Sequence, residues 1–397
     1  MRSHWPWDVL TGLILYSLTT LPVFLGLLLA TTPGVLVQNG TPPGILGVCG
    51  YFDGGHFHDI VVYGYQFDPD RQSSVAFFPG YPLIAWSVRD LTGCSTHLAL
   101  VLTSNVAFVA ALVLLSAYLR DRAPPARLAT LVAIGLWPVG FYFRMAYSES
   151  LFLAALALLL LGFARRWPPA LLAIIAGAAI GIRLVGIAAA AAVVVHVLSD
   201  PARGTRGKRV AKAAALLPLC CWGLFAYMGF QQWRFENAFA FAQTQRHWTH
   251  YTPESDEPMH KWSRLAMAEP IWNVYVPGSP RHWSRIDDSP LLGLAFWNPI
   301  AFVFAIACVG IGWWRGWLTR TEAVLGLGLL LIPFVSRGYE MSMISQARFA
   351  TVAIPVYLVI GRALSRLPPV VSWLAFAAMS PLLFLWTTLF GAARPLF

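Results

Sequence analysis

A succession of long apolar runs, broken by short polar stretches, constrains this chain more than any other feature. Crossing ~30 Å of hydrocarbon takes about 20 predominantly apolar residues in a helix. Candidate runs occupy 9–30, 95–118, 127–143, 148–164, 168–182, 184–198, 213–232, 291–313, 321–336, 344–361 and 370–390. Only 12% of the 397 residues are charged and 57% are apolar, against roughly 25% and 45–50% in a soluble domain. So little charge cannot clothe a water-soluble body, which excludes a soluble enzyme, a coiled coil and a disordered chain. The 17 Trp, 13 Tyr and 25 Phe suit many bilayer interfaces, where amphipathic rings collect.

The stretch 168–198 is either one long helix or two short ones, and charge decides between them. With two helices and the N-terminus inside, the inner segments carry 15 cations and four acids, the outer ones 13 cations and 14 acids. One long helix would move the basic segment 199–212 outside and break the positive-inside bias. The sequence therefore predicts an all-α polytopic membrane protein of about eleven transmembrane helices, N-terminus cytoplasmic and C-terminus outside. It reads as one membrane domain, 1–397, with two large non-cytosolic loops at 31–94 and 233–290 that contain interfacial helices. The net charge of +10 is a topology signal toward anionic lipid. No base-reading motif accompanies it, so no nucleic-acid partner is expected. The first run is too long for a removable signal peptide and is expected to remain as the first span. Cys49 and Cys94 bracket the first outer loop, where a disulfide and two free buried thiols fit equally.

The densest polar stretch is Tyr51-Phe-Asp-Gly-Gly-His-Phe-His-Asp-Ile60. In a helix, Asp53, His56 and Asp59 fall close to one face and His58 points elsewhere. Asp53 could be a general base with a pKa raised by desolvation, a metal ligand, part of an ion path, or a helix cap. The metal reading lacks a supporting His or Cys pair; no metal and no cofactor is expected. Ala76-Phe-Phe-Pro-Gly-Tyr-Pro-Leu83 cannot form a regular helix interior and suits a bent entry into the membrane. In Phe141-Tyr-Phe-Arg-Met-Ala-Tyr-Ser-Glu-Ser150, Glu149 gains from the helix dipole and Ser148 could cap the helix, so capping stands beside a site role.

Arg183, in Gly181-Ile-Arg-Leu-Val-Gly186, interrupts an apolar run at the outer turn between two short spans. An arginine there needs an anion, and a phosphate accepts two hydrogen bonds from a guanidinium; snorkelling to headgroups is the plain alternative. Gly177 and Gly181 are one turn apart and read as helix-packing positions. Arg348, after Gln346, is a second phosphate candidate, with Arg337 and Arg144 behind it. The second outer loop carries Trp233, Trp248, Trp262, Trp272 and Trp283 with Arg246, His247, His250 and Lys261, a pattern that fits interfacial anchoring first and sugar binding second.

Taken in order, Phe52-Asp-Gly-Gly-His-Phe57, Phe77-Phe-Pro-Gly-Tyr-Pro82, Ala146-Tyr-Ser-Glu-Ser150 and Gly181-Ile-Arg183 with Gly186 form a series. It resembles the PIG-V family, the GPI mannosyltransferase that adds the second mannose, and its bacterial relatives, over about residues 50–190. The resemblance implies a GT-C type fold and an inverting glycosyltransferase, expected to be a mannosyltransferase. Such an enzyme takes a polyprenyl- or dolichyl-phosphate sugar as donor and a lipid or glycan as acceptor, on the periplasmic or ER-lumenal face. It makes Asp53 the catalytic candidate, Arg183 and Arg348 the donor-phosphate ligands, and His56, Glu149 and Tyr147 supporting residues. Phe52 stands where the family has Trp, and Leu184-Val185 where a polar pair is expected, which bears on the acceptor. The alternatives are a lipid or glycan transporter, whose polar sites sit nearer the midplane, or a non-catalytic subunit of a glycan-assembly complex.

Overall fold

The computed structural model describes residues 4–32, 44–249, 258–287, 289–290, 292–394 and 396; His250 of the second outer loop lies outside them. All regular structure among the described residues is helical. Counting α-helices of five residues or more, the first are α1 (Trp5–Ala30), α2 (Asp53–Tyr63), α3 (Gly80–Thr92), α4 (Thr96–Tyr118) and α5 (Pro124–Leu136). Next come α6 (Glu149–Ala164), α7 (Pro169–Ile182), α8 (Ile187–Ser199), α9 (Arg206–Cys220), α10 (Trp222–Phe235) and α11 (Pro258–Ala266). The last are α12 (Leu294–Trp314), α13 (Arg320–Arg337), α14 (Gln346–Ala350), α15 (Ile354–Leu364) and α16 (Pro369–Gly391).

Among the described residues, four helices are long and apolar enough to cross a membrane: α1, α4, α12 and α16. The pair α9 and α10, bent by 40°, adds a fifth if it is one broken span. Five shorter apolar helices, α5 to α8 and α15, have 11 to 16 residues, about 16–24 Å at 1.5 Å per residue. By length and composition, four or five spans are complete among the described residues, and the eleven expected would need the shorter apolar helices as well. The runs are cut for local reasons. The third stops at Leu136 because Trp137 precedes Pro138 and is extended, with ψ 127°, as the proline ring demands of its neighbour. The run expected as a single span over 344–361 is two helices, broken between Ala350 and Ile354, where Pro355 enters the first turn of α15. The stretch 168–198 divides at Arg183, whose backbone is extended. Gly186 permits this tight turn: a Cβ there would sit 2.6 Å from the Ile180 amide nitrogen.

Helix α1 packs against α4 and α16, α4 against α6, and α5 against α15; α7 lies between α6 and α10, and α8 against α13. The α7–α10 crossing is close because Gly177 and Gly181 meet Gly223, as their spacing suggested; a Cβ on Gly223 would lie 2.1 Å from the Gly177 carbonyl oxygen. At one end of the bundle, the buried Asp8 of α1 accepts from Arg120, Arg127 and Ser116, and the buried Glu322 of α13 accepts from Arg122 and Tyr118. These ion pairs tie α1 and α13 to the α4–α5 connection. The groups of greater chemical interest gather at the other end.

Candidate functional site

Four helix ends meet there. Asp53 is the first residue of α2 and Glu149 the first of α6, so both carboxylates sit where the helix dipole favours negative charge. Arg183 follows the last residue of α7, where the dipole favours a cation. Arg348 lies in the short α14. The turn before it holds Ser342, Met343 and Ser345 at φ 48°, 65° and 66°, a left-handed conformation that costs non-glycine residues energy and persists only when the surroundings impose it. Asn298 of α12 pins the start of α14 by accepting from the Ala347 amide at 2.9 Å.

The side chains form a chain of alternating charge. Arg183 Nη1 lies 2.7 Å from Glu149 Oε1, and Arg348 Nε donates to the same oxygen at 2.5 Å. Arg348 Nη1 donates to Asp53 Oδ2 at 2.7 Å. Glu149 is fully buried, while the Asp53 side chain is 27% exposed. Burial of this kind needs paired charges, because an isolated ion would cost several kcal/mol. Two aromatic faces hold the Arg348 guanidinium, Tyr142 at 4.9 Å and Tyr147 at 4.6 Å; Phe349 lies under Arg183 at 5.8 Å. The Tyr147 hydroxyl donates to the Tyr51 carbonyl at 3.0 Å. Burial, with the Asp53 carboxylate nearby, pushes its phenol well above the usual tyrosine range, so it stays a neutral donor.

The four motifs of the sequence are adjacent in space. The Ala146 amide donates to the Cys49 carbonyl at 2.9 Å, which with the Tyr147–Tyr51 bond joins the first motif to the third. Gly80 of the proline-rich motif sits on the end of α7: a Cβ there would meet Ile182 at 2.7 Å and the Gly181 carbonyl at 3.0 Å. Tyr81, fully buried, donates to the Leu100 carbonyl at 2.9 Å and fixes the bend against α4.

The structure places the other candidate residues outside this chain of charge or beside it. Ser148 makes no capping bond; its hydroxyl accepts from Arg183 at 3.1 Å. His56 does not join the charged chain: its ring stacks on Phe77 at 5.1 Å and meets the edge of Trp248 at 5.0 Å. Asp59 is exposed beside His58, which packs on His97. Arg144 is buried elsewhere, its guanidinium bonded to Thr19, Thr20 and the carbonyls of Gly135 and Gly140. Arg337 donates to Gln245 and to the Trp248 carbonyl, fastening the loop 233–290. Cys49 and Cys94 are both free thiols. Among the described residues no group of three or more His, Cys, Asp or Glu side chains is placed to hold a metal ion.

Sequence reasoning missed one neighbour, Phe390, and the contacts made by Trp248, Arg246, His247 and Lys261. Phe390 of α16 packs on Phe52 at 5.5 Å and on Tyr147 at 6.1 Å. Trp248 roofs His56 and Phe77. In the second loop, Arg246 and His247 contact the Pro69 carbonyl, and Lys261 pairs with Glu340 at 2.5 Å, so these cations fasten loops. Apart from the aromatic richness of both loops, no sequence signal could have found these contacts.

No family model matches this chain, and no curated protein matches it. Among solved structures it is similar to the Archaeoglobus fulgidus oligosaccharyltransferase in the apo form, with a TM-score of 0.46 at 12% identity. A second is the oligosaccharyltransferase AglB of the same organism, in complex with an inhibitory peptide and a dolichol-phosphate, with a TM-score of 0.44 at 13% identity. The matches cover 99% and 98% of this chain but 56% of each of those, so it spans little more than half their length.

Proposed function

We propose that this membrane protein is an inverting glycosyltransferase that moves a sugar, by the motif resemblance mannose, from a polyprenyl- or dolichyl-phosphate donor to a lipid or glycan acceptor. The observation that carries the reading is the placement of Asp53 within 2.7 Å of Arg348, which a single buried carboxylate links to Arg183. Sugar transfer needs a base for the acceptor hydroxyl and fixed cations for the departing phosphate, and the two must lie within one substrate's length. Asp53 is suited to the first role: it is partly exposed, and its second oxygen has no hydrogen-bond partner among the described residues. Arg348 and Arg183 are suited to the second, and Glu149, Tyr147 and His56 would shape the pocket. The reading places the site on the non-cytosolic face of an eleven-span, GT-C-like bundle with its N-terminus inside. The loop 31–94 would then supply the base and the loop 233–290 would cover the acceptor side. An apolar groove of about 420 Å³, lined by residues that include Tyr65, Pro82, Trp86, Arg89 and Phe230, is a route for the lipid tail beside α2 and α3.

The test is transfer by the purified chain from radiolabelled polyprenyl-phosphate mannose to extracted membrane lipids. Wild type should form a labelled glycolipid. Asp53→Asn should lower the rate on the order of 10²–10⁴-fold, the usual contribution of a general base, with an unchanged elution profile. Full turnover in that variant removes Asp53 from the chemistry; a wild type that transfers nothing from this donor refutes the reading.

A further inference from the structure

The site at rest is electrically closed. Two guanidinium groups face two carboxylates, and Arg348, the group best placed for a donor phosphate, is already bonded to both acids, through Nη1 to Asp53 and through Nε to Glu149. A phosphate arriving beside it must compete with a carboxylate. The two acids do not hold Arg348 equally. Glu149 is completely buried and gripped by Arg183 as well, so it cannot withdraw without stranding a charge. Asp53 is the more exposed and has Arg348 as its one basic partner among the described residues. The Tyr142 and Tyr147 rings, with Glu149 on Nε, keep the guanidinium in place without Asp53.

We propose that Arg348 changes partner during turnover, leaving Asp53 for the donor phosphate as Asp53 takes the acceptor's proton; this rests on the glycosyltransferase reading above. The charges balance at each point. The acceptor oxygen bonds to the anomeric carbon and its proton passes to the Asp53 carboxylate. The bond from that carbon to the phosphate oxygen breaks, and its electron pair stays on the phosphate. A phosphodiester with one negative charge becomes a monoester carrying a second, while Asp53 loses its own. Negative charge is thus relocated within the pocket rather than added to it, and Arg348 follows it. Glu149 acts as a positioning residue that keeps both guanidinium groups aimed while this happens. The pocket is matched to a donor with one phosphate: a diphosphate would bring an extra charge that no free cation in the chain of four residues answers.

The exchange makes an unusual claim about binding, that removing the charge of the proposed base improves capture of the product-like anion. The probe is farnesyl phosphate, with farnesol as the uncharged control, titrated in detergent against the full chain by calorimetry. Asp53→Asn and Asp53→Ala, each verified as folded by elution profile and thermal midpoint, should bind farnesyl phosphate about tenfold more tightly than wild type and farnesol no differently. Arg348→Gln should abolish the preference for the phosphate. Unchanged or weaker farnesyl phosphate binding in both Asp53 variants overturns the exchange while leaving the phosphate site intact. A wild type and Asp53 variants that all bind farnesol and farnesyl phosphate alike overturn the exchange and the donor reading together.

Discussion

Arg183 and Arg348 share one oxygen of Glu149, at 2.7 and 2.5 Å, although they come from different helices and lie 165 residues apart in the sequence. This shared acceptor sets the spacing of the two cations. A phosphate pocket built from arginines must hold like charges close together before its ligand arrives, and a buried carboxylate between them removes the repulsion. The first prediction follows. Glu149→Gln leaves both guanidinium groups without their common counter-charge, and breaking a buried pair from one side costs about 3–5 kcal/mol. The thermal midpoint of the detergent-solubilised protein should fall accordingly. A midpoint equal to wild type would show that the carboxylate is dispensable to the fold.

Arg348→Lys keeps the charge and loses the fork. An ammonium is a point charge without the planar, separately directed donors that reach Asp53 and Glu149 at once. The turnover number should fall on the order of 100-fold, the size of losing one fixed donor to a developing charge, while the Michaelis constant for the donor changes much less. A raised Michaelis constant with an unchanged turnover number would assign Arg348 to ground-state binding alone.

The extent to which this arrangement was legible in the sequence depends on range. Local features were: Gly54 and Gly55 do not prevent a helix from starting at Asp53, and the division of 168–198 at Arg183 followed from charge bias. The partners of each charge were not. The Arg348–Glu149 bond joins residues 199 apart, and no spacing rule reports on such a pair. That Arg183 and Arg348 each already have an internal anion was therefore out of the sequence's reach. Arg144, expected behind Arg348, lies elsewhere: it is satisfied by neutral hydroxyls and carbonyls from Thr19, Thr20, Gly135 and Gly140, a solution that leaves no acidic signature. Helix lengths were not legible either, because hydropathy measures apolar length and is blind to helix breaks such as the one before Pro138.

The α7–α10 crossing supplies a packing test with an internal control. Gly223→Ala would push a methyl group into the backbone of α7, 2.1 Å from the Gly177 oxygen. It should destabilise by at least the roughly 1–3 kcal/mol typical of overpacking. Gly229→Ala, two turns along the same helix, meets nothing within 4 Å. That change should be neutral or stabilise by up to about 1 kcal/mol through helix propensity. Thermal midpoints of the two variants should move in opposite directions, or only the first should move.

Cysteine labelling addresses both the unpaired thiols and the membrane face. Burial pushes the Cys49 thiol up to about 12, and the side chain is 3% exposed, so at neutral pH its reactive thiolate is a minute fraction. Cys94 is half-buried and free. A membrane-impermeant maleimide should label Cys94 from the outer face within minutes and leave Cys49 unmodified. Cys49 labelling should grow about tenfold per pH unit through the alkaline range while the fold persists. Mass spectrometry showing a bond between the two sulfurs would contradict the free-thiol state.

Helix α1 lies against α16, so the earliest and the latest long helices of the described chain are neighbours. Insertion of such a polypeptide cannot finish hairpin by hairpin, each new pair sealing the one before. The flank of α1 that α16 covers must wait through the synthesis of everything between, facing lipid or the insertion machinery. Completion is then a late event, and with it the seating of Phe390 against Phe52 and Tyr147. A ribosome halted before α16 would leave a membrane-embedded intermediate whose pocket floor is still missing, and the pocket would take its final form only once that last helix had docked.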